Sequence, residues 1–241
     1  QTKGRAVAIV IIHGGGWRSG NRAMHYPLAQ RLAQLGYVCI TPEYRLSTEA
    51  LYPTAVLDIK AAVRWTRKHA KQYGIDENKM VALGHSAGGE LAAFLSVTNG
   101  DTRFESDCFR KLSSSVQAAV DVDGIVAFIH PESGEGDDSK RTSAATYWFG
   151  YSKEENPDLW KEASPLSHVN ERSVPILFLN SSVDRMHAGR DDFRKALDRH
   201  HIYSEVCTFE GAPHSFPLFN PWFEPMVERI DSFLKKTLTD D

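Results

Sequence analysis

The sequence predicts an α/β fold, a three-layer αβα sandwich around a mostly parallel central sheet, on three observations. Short apolar runs of strand length alternate with amphipathic helical stretches along most of the chain, a pattern satisfied by winding helices onto both faces of a parallel sheet. Two of those runs end directly in glycine-rich turns, His13-Gly14-Gly15-Gly16-Trp17 and Gly84-His85-Ser86-Ala87-Gly88. The chain has 241 residues, 41% hydrophobic and 24% charged, enough for one globular domain (1–241) with an ample core.

The first strand is expected from about Arg5 to Ile12, an unbroken apolar run ending in the first glycine turn. A helix from about His25 to Leu35 is stopped by Gly36, and Tyr37 to Thr41 makes a second strand closed by Pro42. Pro53 opens a long helix to about Tyr73, with Val56, Ile59, Ala62, Val63 and Thr66 at helical spacing and Gly74 as its cap. Lys79 to Leu83 is a short buried strand, and Ala87 to Val97 a helix rich in small residues. Ser115 to Val122, Val174 to Asn180 and Tyr203 to Phe209 supply three more strands. Helices are expected near Arg190 to Arg199 and from Pro221 to Leu238.

Two stretches break the alternation, Asn99 to Ser114 and Ile129 to Asn170. The second is acidic and glycine-rich at Glu132 to Asp138 and then aromatic at Tyr147-Trp148-Phe149-Gly150-Tyr151 and Trp160. A connection this long in a compact domain is usually functional. It reads as a small cap-like insertion, about 129–170, over the carboxyl ends of the strands, most of its aromatics packing on the body and the rest available to substrate.

Composition excludes several classes. The net charge is −3, and lysine and arginine are scattered singly or in pairs, which argues against a nucleic-acid groove or an anionic membrane surface. The longest apolar run, Ala6 to Ile12, is far short of the ~20 residues that span a bilayer. Of three cysteines, Cys39 and Cys207 fall in expected core strands as buried small hydrophobes and Cys108 in a polar connection, with no C-x-x-C spacing for zinc or redox chemistry. Beginning at Gln1 without Met or signal peptide, the chain reads as processed or trimmed, and neither compartment nor oligomeric state can be read from it.

Ser86 is the centre of the chain. Between a buried strand and a helix, G-x-S-x-G forces the serine into a strained turn with no room for side chains two residues away on either side, so Gly84 and Gly88 let neighbouring backbone pass close. Alone the motif is weak, arising by chance in roughly one chain in twelve of this length. The second glycine turn raises its weight, because three glycines after a buried strand expose backbone N–H groups to a ligand.

With His13-Gly14-Gly15-Gly16-Trp17, the block from Tyr52 to Gly89 and Ala163-Ser164-Pro165-Leu166, the chain resembles the α/β-hydrolase superfamily over nearly its whole length. The resemblance is to the esterase branch with an HGGG loop, which includes hormone-sensitive-lipase-like enzymes and bacterial carbohydrate esterases. It departs in starting at what would be the third strand, without the two antiparallel strands that usually open the fold. The resemblance implies a serine carboxylic-ester hydrolase whose nucleophile, acid and base come in that chain order. Ser86 is the nucleophile and His214, after the last strand, the base. The acid is expected past the strand ending at Asn180, at Asp184, with Asp191 or Asp192 as alternatives and Asp123, at the end of the preceding strand, third. The oxyanion hole would be the N–H groups of Gly15, Gly16 and Ala87, and no metal or organic cofactor is implied. His13 and His85 read as hydrogen-bonded loop supports, with His85 also counted among residues near the substrate.

The expected substrate is a small-molecule or oligosaccharide ester, specifically an acetyl or methyl ester on plant cell-wall pectin or xylan. The aromatic run Phe216, Phe219, Trp222 and Phe223 after His214 could, with Trp17 and Trp148, stack on sugar rings; anchoring of the closing helix is the competing role, above all for Phe219 and Phe223. A polysaccharide substrate would imply secretion or the periplasm. A general short-chain carboxylesterase or lipase-like enzyme is the alternative, although no continuous apolar cap exists to build a wide acyl pocket. A peptidase would need an added recognition domain, and a non-catalytic binding protein of this fold usually has a broken triad.

Overall fold

The computed structural model describes residues 6–238, so Arg5, expected to open the first strand, lies outside them. Six strands form one sheet: β1 (Ala6–Ile12), β2 (Val38–Ile40), β3 (Ile75–His85), β4 (Ala118–Val122), β5 (Ile176–Asn180) and β6 (Ser204–Thr208). Their order is β2-β1-β3-β4-β5-β6, and every pairing is parallel. All six overlap the expected runs, β3 starting four residues earlier, at Ile75, and ending two residues later, at His85, than the strand expected over Lys79 to Leu83.

The helices are α1 (Tyr26–Gln34), α2 (Thr54–Lys68), α3 (Ala70–Tyr73), α4 (Ala87–Val97), α5 (Ala144–Phe149), α6 (Pro157–Glu162), α7 (Arg190–Arg199) and α8 (Phe223–Leu238). The long helix expected up to Tyr73 is broken at His69, whose backbone leaves helical geometry while its ring Nδ1 lies 2.7 Å from the Trp65 carbonyl. No helix among the described residues is long and apolar enough to cross a membrane.

Strand periodicity builds the three layers. In β1, Ala8, Val10 and Ile12 face one way and pack with Val56, Ile59 and Val63 of α2 and Leu91 and Phe94 of α4. Ile9 and Ile11 face the other way, onto Leu28 and Leu32 of α1 and Ile230 and Phe233 of α8. Successive strand residues point to opposite faces, so a parallel strand covered on both sides must be apolar throughout. Farther along the sheet, Phe193 and Leu197 of α7 pack on Ile176 and Phe178. Cys39 and Cys207 are only half-buried, because β2 and β6 are the edges of the sheet.

Between β4 and β5 the chain carries α5 and α6. Ser143 caps α5, its side chain accepting from the Thr146 N–H, and Asn156 caps α6 from Leu159. Trp148, Phe149 and Trp160 are buried in the body, with Phe149 and Trp160 ring centres 4.7 Å apart. Tyr147 and Tyr151 of the same aromatic run stay exposed.

Candidate active site

β3 delivers Ser86 to the carboxyl edge of the sheet and α4 leaves from it. Ser86 has φ 58° and ψ −120°, a conformation that costs an L-residue roughly 1–3 kcal/mol. The glycines on either side make the turn possible: a Cβ on Gly84 would lie 1.9 Å from the Gly88 carbonyl oxygen, and one on Gly88 2.1 Å from that of Ile12. The Ser86 N–H donates to the Val122 carbonyl at 2.8 Å, tying the turn to the end of β4.

His214 follows β6 and comes back across the sheet edge to Ser86. Its Nε2 is 2.8 Å from Ser86 Oγ and its Nδ1 2.9 Å from Asp123 Oδ2. A carboxylate can only accept, so Nδ1 carries the ring proton and Nε2 is left to accept from the serine hydroxyl. Asp123, at φ 54° one residue beyond β4, is fully buried. Its Oδ1 accepts from the Ser181 N–H at 2.8 Å and from Asn180 Nδ2 at 3.4 Å. Burial pushes this carboxyl upward, but the hydrogen bonds from His214 and Ser181 outweigh it and hold it below the usual carboxylate range.

The carboxylate on His214 is that of Asp123, and not that of Asp184, Asp191 or Asp192 as chain order suggests. Asp184 begins a 3-10 turn (Asp184–His187) past β5 and is exposed, with no hydrogen bond to His214. Asp191 pairs with Arg190 at 2.9 Å, and Asp192 with Lys195 at 3.0 Å. The physical reason is sheet order: β4 lies directly beside β3, whereas β5 is one strand farther from the serine. The local signal for Asp123 was an aspartate followed by glycine right at the end of a buried strand, the residue pair best able to take a positive φ there.

Across from Ser86, the loop after β1 turns with positive φ at Gly15, Gly16 and Trp17. Gly15, Gly16 and Ala87 line the same cleft as Ser86 and His214. The loop is bolted down by Trp17, whose Nε1 donates to Glu90 Oε2 at 3.1 Å, whose carbonyl accepts from the Ser47 N–H at 2.7 Å, and whose ring stacks on Trp148 with centres 4.7 Å apart. Glu90, in the first turn of α4, is fully buried, and burial drives its carboxyl well above the usual range; the same holds for Asp121 in β4. Sequence reasoning missed Glu90, although an acid one turn after the serine in an otherwise apolar helix was visible.

Histidines line the underside. His85 Nε2 donates to the His214 carbonyl at 2.9 Å, so His85 supports the histidine loop from below, and, counted in the sequence among residues near the substrate, it is buried and does not line the cleft. Burial first, then the charge of His214, lowers it to about 4. His25 packs edge-on to His85 and falls to about 3, again chiefly through burial. His13 Nδ1 lies 2.8 Å from the Gly14 carbonyl and its ring stacks on Tyr44.

The expected aromatic platform is not assembled. Trp148 and Phe216 are fully buried, Phe216 against Phe209, and Trp222 packs with the closing helix outside the cleft. Trp17 lines the cleft but is almost wholly buried. Instead the cleft, about 780 Å3, is walled mainly by polar and charged residues of the glycine loop, the segment between β4 and β5, and the turn after β5. Among the described residues no group of His, Cys, Asp or Glu is arranged to hold a metal ion.

The BD-FAE family model matches residues 1–188. Esterase LipQ of Mycobacterium tuberculosis is 29% identical over 235 residues, covering 95% of this chain and 55% of LipQ. The chain spans about half the length of the curated relatives it matches first. The apo form of Thermogutta terrifontis esterase 2 superposes with a TM-score of 0.79 at 29% identity, covering 98% of this chain and 86% of that one. A truncated carbohydrate esterase from gut microbiota superposes at 0.81 over 98% of this chain and 88% of its own, and at 24% identity this likeness bears on the fold alone. With the parallel sheet, the serine turn and a family match over most of its length, the chain belongs to the BD-FAE family and has the α/β-hydrolase fold.

Proposed function

We propose that the protein is a serine carboxylic-ester hydrolase in which Ser86, His214 and Asp123 act as nucleophile, base and acid. The observation that carries this is the unbroken relay of 2.8 and 2.9 Å hydrogen bonds from Ser86 Oγ through His214 to a buried, ionised Asp123. As Ser86 Oγ bonds to the ester carbonyl carbon, its proton passes to His214 Nε2, and Asp123 holds the ring in the required tautomer and stabilises the cation. The oxyanion is received by N–H groups of Ala87, Gly15 and Gly16, each worth ~2.7–4 kcal/mol by analogy with measured oxyanion holes. His214 returns the proton to the leaving alcohol, and water, activated by the same imidazole, releases the acid from the acyl-serine.

The substrate is a carbohydrate ester of cell-wall pectin or xylan, in which the sugar is the alcohol of an acetyl ester or the acid of a methyl ester. An open, polar cleft supports this over a long-chain lipid ester, which needs an extended apolar channel. The relatives named as esterases support the chemistry and say nothing of the alcohol. The test is release of acetate and methanol from acetylated xylan and from acetylated, methyl-esterified pectin, beside p-nitrophenyl acetate, with Ser86→Ala as control. Serine-dependent release from a polysaccharide supports the whole reading. Turnover of p-nitrophenyl acetate and medium-chain esters alone keeps the hydrolase and removes the carbohydrate. No turnover removes both.

A further inference from the structure

Three arginines, Arg18, Arg141 and Arg185, line the cleft that holds Ser86 and His214. They come from three separate segments: the glycine loop after β1, the insertion, and the turn after β5. None of the three has an ion pair among the described residues. On other surfaces Arg45 is satisfied by Asp58 at 2.7 Å, Arg31 by Glu224 at 3.0 Å and Arg190 by Asp191 at 2.9 Å. The two carboxylates of the cleft, Glu135 and Asp137, are engaged within the insertion: Glu135 accepts from the Ala145 N–H at 3.1 Å, and Asp137 from Ser139 Oγ at 2.6 Å. Arg18 is also held in place, its guanidinium carbon 3.8 Å from the centre of the Tyr147 ring, a contact that orients the group and leaves its N–H donors free.

We propose that the cleft selects esters whose alcohol is an acidic sugar, a uronic acid residue whose carboxylate is received by Arg18, Arg141 and Arg185. This rests on the carbohydrate-esterase reading above and narrows it to the charged members of that class. The chemistry is direct. A planar carboxylate matches the guanidinium fork, and three unpaired cations at the mouth of a protein-walled cleft focus the field on an approaching anion. A neutral sugar leaves those donors to water and gains nothing from them. Against Glu135 and Asp137 the three guanidinium groups leave the cleft a net excess of one positive charge, on a chain whose overall charge is −3.

The experiment compares acetate release from a mono-O-acetyl methyl galacturonoside and from the corresponding galactoside, which differ only in carboxylate against hydroxymethyl. We expect the acidic ester to be preferred by ~10-fold or more in kcat/KM at low salt, with the preference falling several-fold at 0.5 M salt as the charges are screened. In a variant carrying Arg18→Gln, Arg141→Gln and Arg185→Gln the ratio should fall to about one, through a higher KM for the acidic ester. Because the readout is a ratio, partial loss of folded enzyme cancels. Equal rates on the two sugars in the unsubstituted protein, or a preference that survives the triple substitution, overturns the inference and leaves the esterase reading standing. Turnover of p-nitrophenyl acetate with neither sugar cleaved overturns the carbohydrate reading and the inference with it.

Discussion

The turns after β4 and β5 each offer an aspartate at the carboxyl edge of the sheet, and they differ in everything but that. Asp123 follows β4 directly, is fully buried, and is fixed by His214, Ser181 and Asn180. Asp184 lies four residues past β5, is exposed, and shares a wall with Glu132, Arg190 and Asp191 away from the serine. What the contrast teaches is that strand adjacency, rather than distance along the chain from the histidine, selects the partner. β4 is hydrogen-bonded to β3 along its length, so its last residue emerges beside the serine turn.

Neutralising each aspartate in turn separates the two turns most strongly. Asp123→Asn should lower kcat for p-nitrophenyl acetate by ~10^3–10^4-fold, because an amide at Nδ1 stabilises the wrong tautomer. Asp184→Asn should change it less than twofold. The opposite pattern would reinstate the acid after β5.

The buried side of the comparison also has a pH signature. His25 and His85, lowered to about 3 and about 4, stay neutral in the folded protein while the unfolded chain binds their protons below about 6.5. The unfolded state therefore binds more protons as pH falls, and stability drops from pH 6.5 to about 4 for His85 and to about 3 for His25, by roughly 2.5 kcal/mol per histidine by pH 4.5. Asp123 has the depressed-carboxylate sign: its contribution is present above the unfolded value and is lost only as pH falls through its lower folded one. Thermal midpoints measured from pH 7.5 to 4 should thus decline from near 6.5, ahead of the carboxylate range. His25→Leu should flatten part of that slope.

A smaller effect is expected at the glycine loop. Trp17→Phe keeps the stacking on Trp148 and removes the donor to Glu90; kcat should fall ~10-fold with KM little changed, as loosened oxyanion donors affect the transition state more than binding. Equal losses in kcat and folded fraction would reduce the contact to a structural one. The smallest effect is expected at His187, whose Nε2 is 3.9 Å from Asp123 Oδ1 and 3.0 Å from the Ser181 carbonyl. His187→Gln should move kcat by about threefold or less and shift the lower limb of the kcat/KM pH profile slightly, whereas an unchanged profile would detach it from Asp123.

Much of the fold was legible because it rests on local patterns. The alternation of apolar runs and amphipathic stretches located all six strands, and the α4 boundaries expected at Ala87 and Val97 are those observed. The serine turn and glycine loop were legible because their glycines are dictated by close backbone approach. The aromatics were misjudged for a definite reason. Trp148 and Tyr147 are neighbours in one run, yet one is buried on Trp17 and the other exposed at the cleft, and helix α5 decides which by the way it packs.

Local sequence specifies the strands, the strained serine between two obligatory glycines, the N–H-rich loop after β1 and a histidine placed after the last strand. Each depends on residues adjacent or a turn apart, where φ/ψ limits and side-chain period act directly. Packing between distant segments settles which of several aspartates meets His214, that Trp148 and Trp222 stay out of the cleft while Arg18, Arg141 and Arg185 line it, and that Glu90 holds the glycine loop. Those contacts close over chain separations of 91 residues for His214 with Asp123 and 73 for Trp17 with Glu90, and they depend on strand order and helix packing that no local pattern encodes.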